Sequence, residues 1–134
     1  MKILFIGDVT GKVGRKMAVE RVPLLKQDYS VDFCVINGEN SAGGFGINIQ
    51  NADDLFECGA DVITTGNHTW DQKEALNYIE KENRLLRPEN LIKPSPGKGF
   101  EIFKTKHNFK IGVLNLMGNV FMKKCEDAFQ ASNE

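Results

Sequence analysis

The chain has 134 residues, 41% of them apolar and 26% charged, with a formal net charge of -1. That is long enough to bury a real core and has the composition of a globular protein. The near-neutral charge gives no electrostatic footprint for stable nucleic-acid or membrane-surface binding, and no run approaches the roughly 18 apolar residues of a membrane span.

Residues 2–6 (Lys-Ile-Leu-Phe-Ile) form a nearly continuous apolar run ended by Gly7, the pattern of a strand buried on both faces. Asp8 interrupts this run before any small-residue cleavage site, which argues against a signal peptide. After a turn with Gly11 and Gly14, Val13, Met17 and Arg21 recur at helical spacing, and Pro23 is expected to kink or restart that helix. Residues 32–37 repeat the buried-strand pattern and end at Gly38; Asn48 to Cys58 reads as a helix closed by Gly59. Residues 61–65 form a third strand ending at Gly66. Asp71 to Glu82 forms a further helix, with Leu76 and Ile79 expected to face inward.

From Pro88 to Gly99, prolines and glycines mark loop. Strands are predicted over 100–105 and 109–115, with a polar turn at Lys106-His107-Asn108 between them, and His107 is read as structural. Strands alternating with helices, then a strand pair, predict an α/β fold with a largely parallel sheet and one domain over 1–134. The three cysteines, Cys34, Cys58 and Cys125, form no CxxC pair, so neither a zinc knuckle nor a disulfide framework is expected. Cys34 and Cys58 lie among apolar residues and read as small core hydrophobes, which suits a reducing cytoplasm.

Three strands end alike: each runs into a glycine and then into side chains able to hold a metal. These are Gly7-Asp8, Gly38-Glu39-Asn40 and Gly66-Asn67-His68. In open α/β sheets, ligands bind beyond the carboxyl ends of the strands, so these groups are expected to converge. Two carboxylates, two carboxamides and an imidazole suit Mn²⁺, Fe²⁺ or Zn²⁺ better than a calcium cage. Taken singly, Asp8 reads as a turn or helix cap and His68 as a surface histidine; three coincident strand ends favour a site. Gly7 to Lys12 (GDVTGK) fails the P-loop spacing, with three residues between its glycines and Val13 after the lysine; GxGxxG is absent.

The segments KILFIGDVTGKVGR, VINGENSAGGFG, GADVITTGNHTWD, LLRPEN and PGKG, in this order, closely resemble a bacterial family of calcineurin-like metallophosphoesterases. Its members hydrolyse 2',3'-cyclic nucleotides and other phosphodiesters. The resemblance reaches to about Phe121. Thr10 stands where the wider superfamily has a histidine and Glu39 where it has an aspartate, both features of this narrower family.

The resemblance implies half of an α/β/β/α metallophosphoesterase sandwich, with helices on one face of the sheet. It implies two divalent ions, Fe or Mn in the first place and Zn as an alternative. Asp8, Glu39 and Asn40 would bind the first ion, Glu39 would bridge to the second, Asn67 would bind that second ion, and His68 would act as general acid. Asp71, Arg87 and Asn90 would support the site without binding metal.

Family members continue beyond this length and draw three further histidine ligands from their second half; here only His68 and His107 occur. Two expectations of different class follow. Either the chain belongs to a working phosphodiesterase, completed by a separate chain carrying the histidines or by unseen sequence, or it is a truncated, inactive remnant; a homo-oligomer or a complementing chain is the expected partner. An apolar sheet face or edge left uncovered is expected in both cases.

Overall fold

The computed structural model of the chain describes residues 1–133. Four short strands form one parallel sheet in the order β1 (Ile3–Ile6), β2 (Phe33–Asn37), β3 (Val62–Thr64), β4 (Leu85–Leu86). Three helices connect them: α1 (Gly11–Asp28), α2 (Ile49–Glu57) and α3 (Lys73–Ile79). Sequential parallel strands joined by right-handed crossovers place every connecting helix on the same side of the sheet. The packing agrees. Cys34, Ile36, Ile63 and Leu85 from the strands cluster with Ala18 and Val22 of α1, Ala52 and Leu55 of α2, and Ile79 of α3.

The alternate residues of the same strands point the other way. Phe33, Val35, Val62 and Leu86 pack against Ile111, Phe103 and Val113. The last three belong to an antiparallel hairpin, β5 (Phe100–Lys104) and β6 (Lys110–Leu114), which forms its own two-stranded sheet. Phe33 and Phe103 meet at a ring separation of 5.8 Å. The hairpin does not cover β1. Ile3 is 52% exposed and Phe5 64% exposed, and they open onto a groove with Ile111 to Leu116 along its other wall. The first strand is therefore half-buried on its helix side and exposed on the other, where the sequence reads as buried on both; its uncovered face matches the half-sandwich expectation.

Two further readings are corrected by the structure. Helix α1 continues through Pro23 as one element, so Pro23 does not restart it. Its buried residues are Ala18 and Val22, while Val13 and Met17 are 80% and 53% exposed. In α3 the inward residues are Ala75 and Ile79, and Leu76 is exposed. The two-residue strand β4 has no counterpart in the sequence reading, being too short to show periodicity before Pro88 ends it.

Other element readings hold. Helix α2 is capped by Asn48, whose side chain accepts the Asn51 backbone N–H at 2.8 Å, and it closes at Cys58 before Gly59. A short helix, α4 (Ala128–Ala131), begins near the end of the chain behind its cap Asp127. Cys34 and Cys58 are buried, and desolvation pushes the Cys34 thiol up to about 11 and raises that of Cys58. Both therefore act as core apolar groups. Among the described residues, no helix is long and apolar enough to cross a membrane.

Candidate metal centre

Parallel register brings the expected residues together. Ile6 pairs with Ile36, and Ile36 with Ile63, so β1, β2 and β3 end side by side. Backbone bonds then tie the three turns together. The Val9 N–H donates to the Asn37 carbonyl at 2.9 Å, the Gly11 N–H to the Asn40 carbonyl at 2.9 Å, and the Gly38 N–H to the Thr64 carbonyl at 3.0 Å. Val9 is buried beneath the turn and anchors it.

Asp8 tops the first turn. Its φ of 32° lies in the left-handed region, which costs a non-glycine residue on the order of 1–3 kcal/mol and recurs at functional sites. Its carboxylate accepts a hydrogen bond from the Asn40 side-chain amide at 2.6 Å. The first two strand ends are thus joined through side chains as well as backbone.

Glu39 is the unusual group. Its Oε2 is buried and, among the described residues, has no hydrogen-bond partner. The carboxylate lies directly over Gly66, where a Cβ would sit 2.1 Å from Oε2. Only glycine leaves room for it, so the glycine ending β3 serves the carboxylate ending β2. An unsatisfied buried carboxylate oxygen forfeits hydration worth on the order of 1–3 kcal/mol or more, a deficit that a bound cation would offset.

At the third strand end, the Thr69 hydroxyl donates to the Gly66 carbonyl at 2.6 Å and sits 2.8 Å from the Thr65 hydroxyl. This buried pair fixes the bend that presents Asn67 and His68, both half-buried. His68 Nδ1 lies 2.5 Å from Asp71 Oδ2. The Phe45 ring meets the imidazole edge-on, at 5.4 Å and 88°. Phe45 is held by a loop that packs onto the histidine segment: the Gln72 side chain donates to its carbonyl at 2.6 Å, and a Cβ at Gly46 would come within 2.9 Å of the His68 carbonyl.

All five residues expected at the site, Asp8, Glu39, Asn40, Asn67 and His68, therefore gather at one end of the sheet. Their chemistry fits a hard or borderline divalent cation: oxygen donors, two of them anionic, one lacking any partner. The set is short of strong ligands. Among the described residues, no group of three His, Cys, Asp or Glu side chains is placed to hold a metal.

Arg87 and Asn90 take structural roles. Arg87 is buried and donates to the carbonyls of Pro96, at 3.1 Å, and Pro88, at 2.8 Å. Asn90 is fully buried, accepts the Met117 N–H at 2.9 Å and donates to the Glu126 carbonyl at 2.9 Å. His107 sits in the hairpin turn, 3.5 Å from Asp32 before β2, at the opposite end of the sheet from Glu39.

Asn115 was not singled out from the sequence. Its side chain donates to the carbonyls of Thr65, at 2.8 Å, and Leu86, at 3.1 Å, joining the hairpin to the strand ends that carry the site. The signal was there: a carboxamide breaking an apolar run at the end of a strand.

Comparison with known proteins places the chain. It is 44% identical, over all 134 of its residues, to a 2',3'-cyclic-nucleotide 2'-phosphodiesterase of Bacillus subtilis, covering 50% of that protein. A crystal structure of a hypothetical protein from Thermus thermophilus superposes with a TM-score of 0.91 at 34% identity, over 99% of this chain and 51% of the other. A novel phosphatase from Mycoplasma pneumoniae superposes with a TM-score of 0.89 at 34% identity, over 99% of this chain and 49% of the other. The chain thus spans about half the length of these relatives. The family model described as YmdB-like protein matches residues 4–134, and the chain belongs to that family.

Proposed function

We propose that this chain carries one half of a metal-dependent phosphodiesterase site that acts on small phosphodiesters such as 2',3'-cyclic nucleotides. The observation that carries this reading is the buried, partnerless Glu39 Oε2 beside Asp8, Asn40 and Asn67 at three adjacent strand ends. Residues 1–134 form one domain in this reading.

Asp8, Glu39 and Asn40 would hold a first divalent ion, and Glu39 together with Asn67 would hold a second. When bound, such a pair supplies a Lewis acid for the phosphoryl group and lowers the pKa of coordinated water. Iron or manganese suits the mixed oxygen and nitrogen set, with zinc as the alternative. The two carboxylates leave excess positive charge against two dications, which attracts the phosphodiester anion. His68 stands beside these ligands as the general acid that protonates the departing alkoxide.

The scarcity of strong ligands favours a condition on this activity: a complementing chain or further sequence supplies the remaining donors. The same observation supports the opposed reading, a remnant that binds one ion at most and turns nothing over.

Metal content of the purified chain and hydrolysis of a chromogenic phosphodiester with added Mn²⁺, beside an Asn67→Ala variant, separate the two. Loading near two ions per chain, with turnover lost in the variant, is the expected result. Loading of one ion or fewer without turnover would overturn the phosphodiesterase reading for this chain.

A further inference from the structure

The general-acid role proposed for His68 leaves open which ring nitrogen faces the substrate and what holds it there. A neutral imidazole exists as two tautomers, and the hydrogen bond made by one nitrogen decides which proton the other can carry. His68 Nδ1 lies 2.5 Å from Asp71 Oδ2, three residues along the same turn. A carboxylate only accepts, so the contact requires a proton on Nδ1 and turns Nε2 away from Asp71.

Further contacts surround the pair. The Phe45 ring abuts the imidazole edge-on and restricts its rotation. The Gln72 amide bond to the Phe45 carbonyl fixes that wall. On the far side, Lys123 Nζ approaches the other Asp71 oxygen, Oδ1, at 3.9 Å, from a side chain 80% exposed. An ion pair so open to water contributes little energy. Its position leaves Oδ2 to the imidazole.

We infer that Asp71 is a positioning residue that locks His68 in the Nδ1–H tautomer and aims Nε2 at the leaving group. The inference rests on the general-acid reading for its purpose, though not for its geometry. In the catalytic step Nε2–H gives its proton to the departing alkoxide, while Nδ1–H stays with Asp71, whose charge stabilises the imidazolium beforehand. Asp71 touches no reacting atom. The sequence expectation placed it only as a support; the structure gives that support a defined object.

Long-range ¹H–¹⁵N correlation spectra of the uniformly ¹⁵N-labelled chain, recorded above the ordinary imidazole pKa range, read the tautomer without any turnover. The chain has two histidines, and a His107→Gln variant assigns them. The expected result is a protonated Nδ1 and a bare Nε2 on His68. Asp71→Ala should convert most of the population to the Nε2–H form, while Lys123→Ala leaves the tautomer unchanged. A wild-type spectrum with Nε2–H dominant overturns the inference, as does an unchanged Nδ1–H tautomer in Asp71→Ala. Should Asp71→Ala fail to fold, the wild-type spectrum decides. A chain that hydrolyses nothing yet shows the Nδ1–H form upholds the tautomer lock and sinks only the phosphodiesterase reading.

Discussion

The two faces of the parallel sheet are finished to different degrees. On the helix side, Cys34, Ile36, Ile63 and Leu85 lie under three helices, and every one of them is at most 1% exposed. On the hairpin side, Phe33, Val35 and Val62 are covered, but the cover stops before β1 and leaves Ile3 and Phe5 largely in water. Both faces come from the same alternating apolar strands, so strand sequence does not decide burial. What lies opposite does. The site sits at the strand ends, above the boundary between these faces, and it shows the same asymmetry: backbone sewn tightly together, with a carboxylate oxygen left unsatisfied.

Truncation on the finished face has the largest expected effect. Ile36→Ala removes a fully buried side chain from the centre of the sheet and should cost about 2–5 kcal/mol through lost transfer energy and the cavity left behind. Urea unfolding followed by circular dichroism reads this as a lower midpoint at unchanged slope. The thiols sharpen the point. Burial raises the pKa of both Cys34 and Cys58, so a thiol reagent should reach only Cys125 in the folded chain and all three in urea. Rapid labelling of Cys34 under native conditions would show that the helix side opens readily and is not the stable half.

At the site the expected change is smaller and of opposite sign. Glu39→Gln removes a charge whose Oε2 finds no partner, so the metal-free chain should gain about 1 kcal/mol in thermal or urea unfolding. The same variant should lose any stabilisation by added Mn²⁺ that the native chain shows, because binding to the folded state raises stability by mass action. A Glu39→Gln chain that is less stable without metal would mean that the carboxylate is already satisfied, by water or by a neighbour.

Much of this was legible in the residues, for physical reasons that differ by element. The strands β2 and β3 read correctly because they are buried on both sides and so carry unbroken apolar runs. The convergence of the three strand ends was legible because parallel strands must end together, which makes Gly7-Asp8, Gly38-Glu39-Asn40 and Gly66-Asn67-His68 neighbours wherever the helices lie. Helix faces were harder. Val13 and Met17 recur at helical spacing yet face water, while the smaller Ala18 and Val22 make the contact, since a helix close to a sheet favours small residues at its nearest approach. Asn115 and the Glu39–Gly66 packing depend on positions distant in sequence, which local patterns do not report.

The smallest expected effect tests the unfinished face. Phe5 is an aromatic residue in a strand, yet 64% of it is exposed. If water is its only neighbour on that side, Phe5→Ser removes little buried area and should change unfolding free energy by no more than about 0.5 kcal/mol. The same change should reduce self-association seen by sedimentation, since the groove beside Phe5 presents apolar side chains from both the sheet and the hairpin. A loss of about 2 kcal/mol or more would contradict the exposed position of this ring. If that loss grew with protein concentration, a second copy would be the cover. If it did not, the hairpin would have to reach β1 within a single chain, and the contrast between the two faces would disappear.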